Sequence, residues 1–402
     1  MDQSEFPDQF VDVLTPNIRQ VMAIEDITSG DERQGFAVRF RGRLLLESQD
    51  VFQRLDPLFY DQGLTLLLRE EAGQQLIIGL QGTIQPQASN PWINLGLFIL
   101  TLLSMLFAGA QYGLEGPIEN SLSGITGALL GNLDNGILFA ASLLSILTAH
   151  EFGHYFAARF HKTAVTLPYF LPFPSLFGTL GAFIRLKEPP RDRRALLDIG
   201  LAGPLAGLVV ALPVLLIGIA LSDVGRLPLN PQTALGTVLE GNSIIYLGAK
   251  FLIKGELLPM PLRYEDLPPL LYWIRYFFVG VPMPYGGRDI LLHPMAWAGW
   301  AGLLVTSLNL IPAGQLDGGH TIYVLIGRAA SRIWPIIVLI LVLLGFVWPG
   351  WYIWAAMIFM MGRTYATPRD DITPLDSRRR MLAILGLVVF ILVFTPIPLR
   401  TF

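Results

Sequence analysis

Five long runs of the chain contain no charged residue, and they constrain the fold more than any other feature of the sequence. The runs cover residues 93–110, 136–149, 201–221, 335–348 and 381–395. A helix that crosses a bilayer needs about 20 predominantly apolar residues, and several runs approach that length. Only 15% of the 402 residues are charged, against roughly 25% in an average soluble domain. The sequence therefore predicts an all-α polytopic membrane protein with six to eight spans.

Residues 1–90 differ in composition from the rest of the chain. They carry 14 acidic and 7 basic side chains, no spanning run and no histidine. Their residue pattern predicts a strand at 36–46, a short helix at 49–59, and a hairpin of 64–70 with 75–80 that turns near 72–73. We expect a small soluble α+β domain that binds or regulates, followed by a transmembrane domain over residues 91–402.

Basic residues are distributed unevenly between the predicted loops. Loop 111–135 has no Lys or Arg, whereas loop 161–194 has six and loop 363–380 has five arginines. Under the positive-inside rule both basic loops face the cytoplasm or stroma, and the N-terminal domain lies on the same side. We therefore expect a multi-pass protein of the plasma or thylakoid membrane with a cytoplasmic N-terminal domain. The far side is the side of the membrane opposite to the basic loops.

Two stretches are less regular. Residues 223–293 are mixed in polarity, and within them 242–258 and 270–279 resemble amphipathic, interfacial helices rather than spans. Residues 335–361 fit either one long tilted helix or a hairpin broken at 349–350. The charge pattern favours the hairpin.

The overall charge and the cysteine count exclude several function classes. A formal net charge of −3 provides no basic face for nucleic acid. Since the chain has no cysteine, it forms no disulfide and performs no thiol chemistry, and a metal site must use His, Asp and Glu.

A metal-binding pattern ends the second apolar run. His150 and His154 are four residues apart, so on a helix they lie about 40° apart around the axis and both imidazoles reach one ion. Glu151 is adjacent to the first histidine, where a carboxylate can take a proton from a zinc-activated water. Ionisable side chains at membrane depth cost about 2.5 to 3.5 kcal/mol each on insertion scales. The pattern therefore indicates a metal site.

A zinc site needs a third protein ligand. His161 follows seven residues after His154 and is expected to be a loop histidine. A second candidate is Asp317, because Pro312 and three glycines interrupt an apolar segment around it. Non-helical backbone at membrane depth is tolerated only where protein or water covers it, and an Asp in such a break is functional by default.

These two motifs together resemble the site-2 protease family of intramembrane zinc metalloproteases. His150-Glu151-x-x-His154 precedes Asn309-x-x-Pro312-x-x-x-x-Asp317-Gly by about 160 residues. The run 308–320 and the soluble segment around 40–44 are similar to cyanobacterial relatives of the plant chloroplast ethylene-dependent gravitropism-deficient and yellow-green proteases. The resemblance covers a catalytic core of about residues 136–327.

The resemblance implies one zinc ion per chain, Asp317 as its third ligand, and cleavage of peptide bonds in or near transmembrane segments. The implied partners are membrane-protein substrates and the lipid bilayer. It further suggests that Asn309 holds substrate or the developing oxyanion, and that Gly178 and Gly181 belong to a membrane-dipping hairpin that pairs with substrate. A plain structural loop remains the alternative for that hairpin.

Other residues near the motifs have less specific roles. His320 lies one turn after Asp317 and is expected to support the carboxylate or to polarise the scissile carbonyl. His293 is expected to be interfacial. Gly203 and Gly207 are expected to serve close helix packing, not chemistry.

Two other function classes remain open on the sequence. One is a non-catalytic membrane protein with a degenerate protease fold, which the intact Glu151 disfavours. The other is the class of prenyl-protein proteases, membrane zinc enzymes that take the third ligand from a Glu. The residues carry no signal for substrate identity or oligomeric state.

Overall fold

The computed structural model describes residues 9–30, 35–112, 122–230, 238–264 and 266–401. Part of the predicted loop 111–135 therefore lies outside the described residues, as do short stretches of 1–90 and 223–293.

The N-terminal part is a four-stranded antiparallel sheet with two helices on one face. The elements are α1 Gln9–Ile18, β1 Met22–Ser29, β2 Val38–Leu44, α2 Ser48–Asp61, β3 Leu64–Glu71 and β4 Gln74–Gln81. The strand order is β1-β2-β4-β3. Ala72 and Gly73 both have positive φ, as a two-residue hairpin turn requires. The predicted strand, helix and hairpin are confirmed, whereas α1 and β1 were not predicted.

The sheet continues beyond its last strand. Residues 369–371 pair with the free edge of β3, since the backbone N–H of Leu68 donates to Arg369 O at 2.9 Å and Asp371 N–H donates to Leu68 O at 3.1 Å. On the other side, Asp370 N–H donates to Arg191 O at 2.7 Å. This short strand therefore joins the N-terminal sheet to the residues that precede the sixth helix.

The membrane part is built from helices of unequal length. They are α3 Pro91–Ala110, α4 Leu122–Gly131, α5 Leu133–Phe160, α6 Arg193–Leu221, α7 Ile244–Lys254, α8 Pro269–Val279, α9 Pro294–Asn309, α10 Asp317–Ile326, α11 Trp334–Gly345, α12 Gly350–Met361 and α13 Ser377–Val393. Helices α5, α6 and α9 pack together, and α3 covers α5. Their buried side chains form one continuous apolar core.

The predicted count of six to eight spans is not confirmed. Within the described residues, only α3, α5 and α6 are long and apolar enough to cross a membrane. A fourth candidate is the pair of segments Asp317–Arg332 and Trp334–Gly345, which are bent by 84°. The other apolar helices have 10 to 17 residues, so even α13 is only about 26 Å long against a hydrocarbon core of about 30 Å.

Residues 335–361 form the predicted hairpin. Helices α11 and α12 pack against each other, and Trp334 at the start of one contacts Phe359 near the end of the other, with ring centroids 5.7 Å apart. The chain reverses between Gly345 and Gly350.

Short strands form two small structures on the far side. One pairs β7 Asp223–Arg226 with β9 Arg288–Leu291, and the other pairs β8 Val238–Glu240 with β10 Leu399–Thr401. The two helices predicted within 223–293 are present as α7 and α8, and neither is a candidate span.

Candidate metal centre

Two histidines face the interior from the C-terminal half of α5. His150 and His154 are 3% and 6% exposed, and their ring centroids are 5.0 Å apart. His154 Nδ1 lies 2.7 Å from the backbone carbonyl oxygen of Ile199 on α6. Because that nitrogen donates its proton to the carbonyl, Nε2 is left as a lone-pair ligand.

Asp317 reaches the same point from the break between α9 and α10. Its Oδ2 lies 3.4 Å from Nε2 of His150 and 3.4 Å from Nε2 of His154. The break depends on glycines, because a Cβ on Gly318 would lie 2.0 Å from Leu310 O and one on Gly319 would lie 2.2 Å from Gly314 O. Only residues without a side chain allow the chain to turn this tightly before Asp317.

The three ligand atoms fit a zinc ion. A tetrahedral site with ligand bonds of about 2.05 Å has neighbouring ligand atoms about 3.3 Å apart, and Asp317 Oδ2 lies 3.4 Å from each histidine Nε2. His150, His154 and Asp317 are the one group of three or more ligating side chains that meets within 4.8 Å among the described residues. A two-histidine, one-carboxylate set is a common catalytic zinc site, with the fourth position left open.

Three glycines of α6 make room for the histidines, a role that the sequence reasoning missed. A Cβ on Gly203 would lie 2.0 Å from His154 Nε2, and one on Gly207 would lie 3.1 Å from His150 Nδ1. A Cβ on Gly200 would lie 3.1 Å from His320 Cβ. The signal was present in the helical spacing of these glycines, but the sequence does not say which helix they face.

A cavity of about 220 Å³ opens over the three ligands. Glu151 lines it and is 3% exposed, and Asn309 and His320 line it as well. Asn309 Nδ2 lies 3.3 Å from His150 Nε2. His320 Nδ1 is buried and has no hydrogen-bond partner among the described residues. All six polar side chains predicted for the site therefore border one cavity, whereas the two hairpin glycines do not.

The predicted hairpin consists of β5 Tyr169–Pro172 and β6 Thr179–Phe183. Gly178 and Gly181 have φ of 72° and 103°, so both need the conformational freedom of glycine. Neither lines the cavity, but Ala182 and Phe183 at the end of β6 do. The hairpin thus leads to the site without contributing its glycines to it.

The remaining two histidines lie elsewhere. His161 Nε2 lies 2.9 Å from Asp198 Oδ2, and Asp198 is also held by Arg379. His293 precedes α9, where its Nδ1 accepts a hydrogen bond from Met295 N–H at 3.3 Å. Neither lines the cavity over the three ligands.

Comparison with known proteins agrees with this geometry. The model of peptidase family M50 matches residues 138–347, just over half of the chain. The chain belongs to peptidase family M50. The matched region contains all three candidate ligands and Glu151, and the resemblance inferred from the motifs is confirmed.

Relatives of this M50 chain include plant chloroplast proteins. It is 26% identical to the probable zinc metalloprotease EGY2 of Arabidopsis thaliana, over 99% of the chain and 66% of that protein. It is 26% identical to the probable zinc metalloprotease EGY1 of Oryza sativa subsp. japonica, over 91% of the chain and 63% of that protein. The chain thus spans less than two thirds of these relatives' length. No solved structure matches it.

Proposed function

We propose that this chain is an intramembrane zinc metalloprotease that hydrolyses peptide bonds in or near the transmembrane segments of membrane proteins. The observation that carries the proposal is the convergence of His150, His154 and Asp317 beside Glu151, in a cavity built on an apolar helix. The family and the names of the relatives support the same activity.

In this proposal the chain's own residues divide the work. The two histidines and Asp317 would hold a zinc ion, and that ion would supply the Lewis acidity that acidifies water and polarises a peptide carbonyl. Glu151 takes a proton from the attacking water on its carboxylate and passes it to the leaving amine nitrogen. Asn309 and His320 line the same cavity and present an amide and an unpartnered ring nitrogen to the substrate carbonyl.

The proposed substrate approaches along the hairpin. Leu180 on β6 is 65% exposed, and β6 pairs only with β5 within the described part of the chain. An unwound substrate segment that pairs with β6 is led toward the zinc ligands by Ala182 and Phe183. Gly178 and Gly181 shape this strand and act on the substrate through the backbone.

The proposed orientation places the N-terminal domain in the cytoplasm or stroma. Arginine-rich segments lie beside that domain: the side chain of Arg194 donates to Gln49 at 3.1 Å, and Arg369 pairs with Asp56. Basic loops remain on the cytoplasmic side of membranes. The membrane is then the plasma or thylakoid membrane.

The test compares the rates at which the purified wild type and Glu151→Gln cleave a synthetic membrane-spanning polypeptide in detergent. Glu151→Gln should bind zinc as the wild type does and lose at least about 10²-fold in cleavage rate, because it removes the proton acceptor. The matched control is Glu256→Gln, at a glutamate that pairs with Arg288 far from the cavity, and it should cleave normally. Equal cleavage by Glu151→Gln and wild type would contradict the mechanism.

A further inference from the structure

A second cavity, unrelated to the zinc ligands, lies on the far side of the protein. Its volume is about 530 Å³, and strands β7, β8 and β9 and the first turn of α9 surround it. Most of its lining is apolar or aromatic, including Tyr112, Leu176 and Trp297. Two acidic side chains, Glu240 and Asp289, lie in its wall.

The two acids belong to a buried cluster of charges. Glu240 and Asp289 are 5% and 2% exposed, and Lys250 on α7 is fully buried. Lys250 Nζ lies 3.6 Å from Glu240 Oε1 and 3.6 Å from Asp289 Oδ1. Tyr246 O–H donates to Glu240 Oε1 at 2.8 Å. A buried charge is costly unless it is paired and hydrogen-bonded, so each charge of this cluster needs a partner.

With both carboxylates ionised, the cluster is short of one positive charge. Two carboxylates share a single lysine, and Asp289 Oδ2 is buried without a hydrogen-bond partner among the described residues. Arg226 also lines the cavity, but it is exposed, so solvent and salt screen its charge. The unpartnered oxygen belongs to a side chain that borders open space, which is the arrangement of a site for a cationic group.

The surroundings favour an organic cation over a metal ion. A hard divalent cation takes about six to eight oxygen ligands, whereas this wall offers two carboxylates with the ammonium group of Lys250 between them. The apolar wall suits an alkyl chain. We propose that the far-side cavity binds a primary alkylammonium group, with Asp289 and Glu240 as its counter-ions.

Two sources of such a group are a free small amine and a lysine side chain of a polypeptide. The position of the cavity favours the lysine. Leu176 precedes β6 in the hairpin and lines this cavity, while Ala182 lines the zinc cavity. Leu176 lies in the turn before β6, six residues before Ala182, and six residues span at most about 20 Å, so a polypeptide that lies along the hairpin reaches both. This choice of source rests on the proposed protease function, whereas the ammonium site itself does not.

The test uses n-butylammonium, which has the structure of a lysine side chain, and titrates it into the full-length purified protein with calorimetric detection. The neutral isostere 1-butanol is titrated in parallel. We expect saturable binding of n-butylammonium and at least tenfold weaker binding of 1-butanol. Equal binding of the two compounds, or saturable binding of neither, would overturn the site.

Three variants assign the binding to the acidic wall. Asp289→Asn should lower the affinity for n-butylammonium at least tenfold. Asp223→Asn changes an exposed acid on β7 outside the cavity lining, and it should bind n-butylammonium as the wild type does. Lys250→Met should bind n-butylammonium more tightly, because the competing ammonium is gone. This increase keeps the test decisive if Asp289→Asn fails to fold. Equal affinities in Asp289→Asn and Asp223→Asn, or weaker binding by Lys250→Met, would contradict the proposal.

A competition experiment in the Glu151→Gln variant, which keeps the cavity but does not cleave, shows whether the ammonium group comes from a lysine side chain. A membrane-spanning peptide with a far-side lysine should displace n-butylammonium, and the same peptide with N-acetyl-lysine should not. Displacement supports the polypeptide source. Binding of n-butylammonium without displacement by either peptide supports the ammonium site and overturns the lysine source. Because this readout is binding, it stands even if the protein cleaves no peptide.

Discussion

The protein buries two clusters of ionisable side chains near opposite ends of α9, and the free-energy cost of burying charge is offset differently in each. At the carboxyl end, beside Asn309, two imidazoles and Asp317 point at one spot and form a metal-sized gap. At the amino end, beside Trp297, the chain supplies its own cation, Lys250, between two carboxylates. The two residues of α9 are twelve positions apart, about 18 Å along a helix.

The difference shows that buried charge alone does not mark a catalytic centre. What distinguishes the zinc ligands is convergence: their atoms lie at tetrahedral spacing, and α6 leaves room for the rings with glycine. The far-side cluster instead pairs charges within the chain, one lysine between two carboxylates, with one carboxylate oxygen left over. We therefore expect the two clusters to respond differently to zinc, to pH and to small changes of volume.

The largest expected effect separates the clusters by metal binding. Asp317→Ala should lower zinc affinity by on the order of 10³-fold, since loss of a direct ligand exceeds the 10- to 100-fold typical of supporting residues. Asp289→Asn should leave zinc affinity within a factor of two. Zinc content after dialysis against graded chelator measures both. Full zinc retention by Asp317→Ala would remove Asp317 from the ligand set.

The second effect concerns pH and belongs to the far-side cluster. Burial, together with the charge of Asp289, raises the pKa of Glu240 from 4.5 to about 7. Between these values the folded cluster retains a proton that the unfolded chain has released, so the free energy of unfolding falls as pH rises. The contribution is complete below pH 4.5, and its loss amounts to about 3 kcal/mol by pH 7, at 1.36 kcal/mol per unit.

The fall in unfolding free energy between pH 4.5 and 7 should appear in the elements around the cluster and should depend on Glu240. Hydrogen exchange of the amides of α7, measured from pH 4.5 to 7 and corrected for the intrinsic rate, reports the local stability. Glu240→Gln should flatten most of the decline, and the exposed control Asp223→Asn should not change it. Burial raises the pKa of Asp289 as well, so a smaller decline remains in Glu240→Gln. Stability that increases over this pH range would contradict the assignment.

Local patterns were sufficient for part of the structure. The four-residue spacing of His150 and His154 places both rings on one face of α5, and the turn at Ala72 and Gly73 follows from the hairpin pattern. Strand β1 was missed because its register shifts between Ile24 and Asp26, which interrupts the alternation that identifies a strand.

Features that depend on contacts between distant segments could not be predicted. Asp317 was assigned through family resemblance, because nothing local shows that a broken segment reaches α5. The pairing of β3 with residues 369–371 joins segments about 300 positions apart. Glu240, Lys250 and Asp289 form no motif, so their cluster becomes visible only once the strands and α7 are placed.

The smallest expected effect tests whether shape, as well as ligand identity, distinguishes the zinc site. Gly203→Ala adds a Cβ 2.0 Å from His154 Nε2, and overpacking of this kind typically costs about 1 to 3 kcal/mol. Because the added methyl group displaces a ligand, we expect zinc affinity to fall about tenfold, measured by chelator competition. Gly96→Ala is the matched control: it lies in α3 with no heavy atom within 4 Å of the new Cβ, and should bind zinc normally. Equal zinc affinities in the two variants would mean that α6 yields to the methyl group, and convergence of the ligand atoms alone would then define the site.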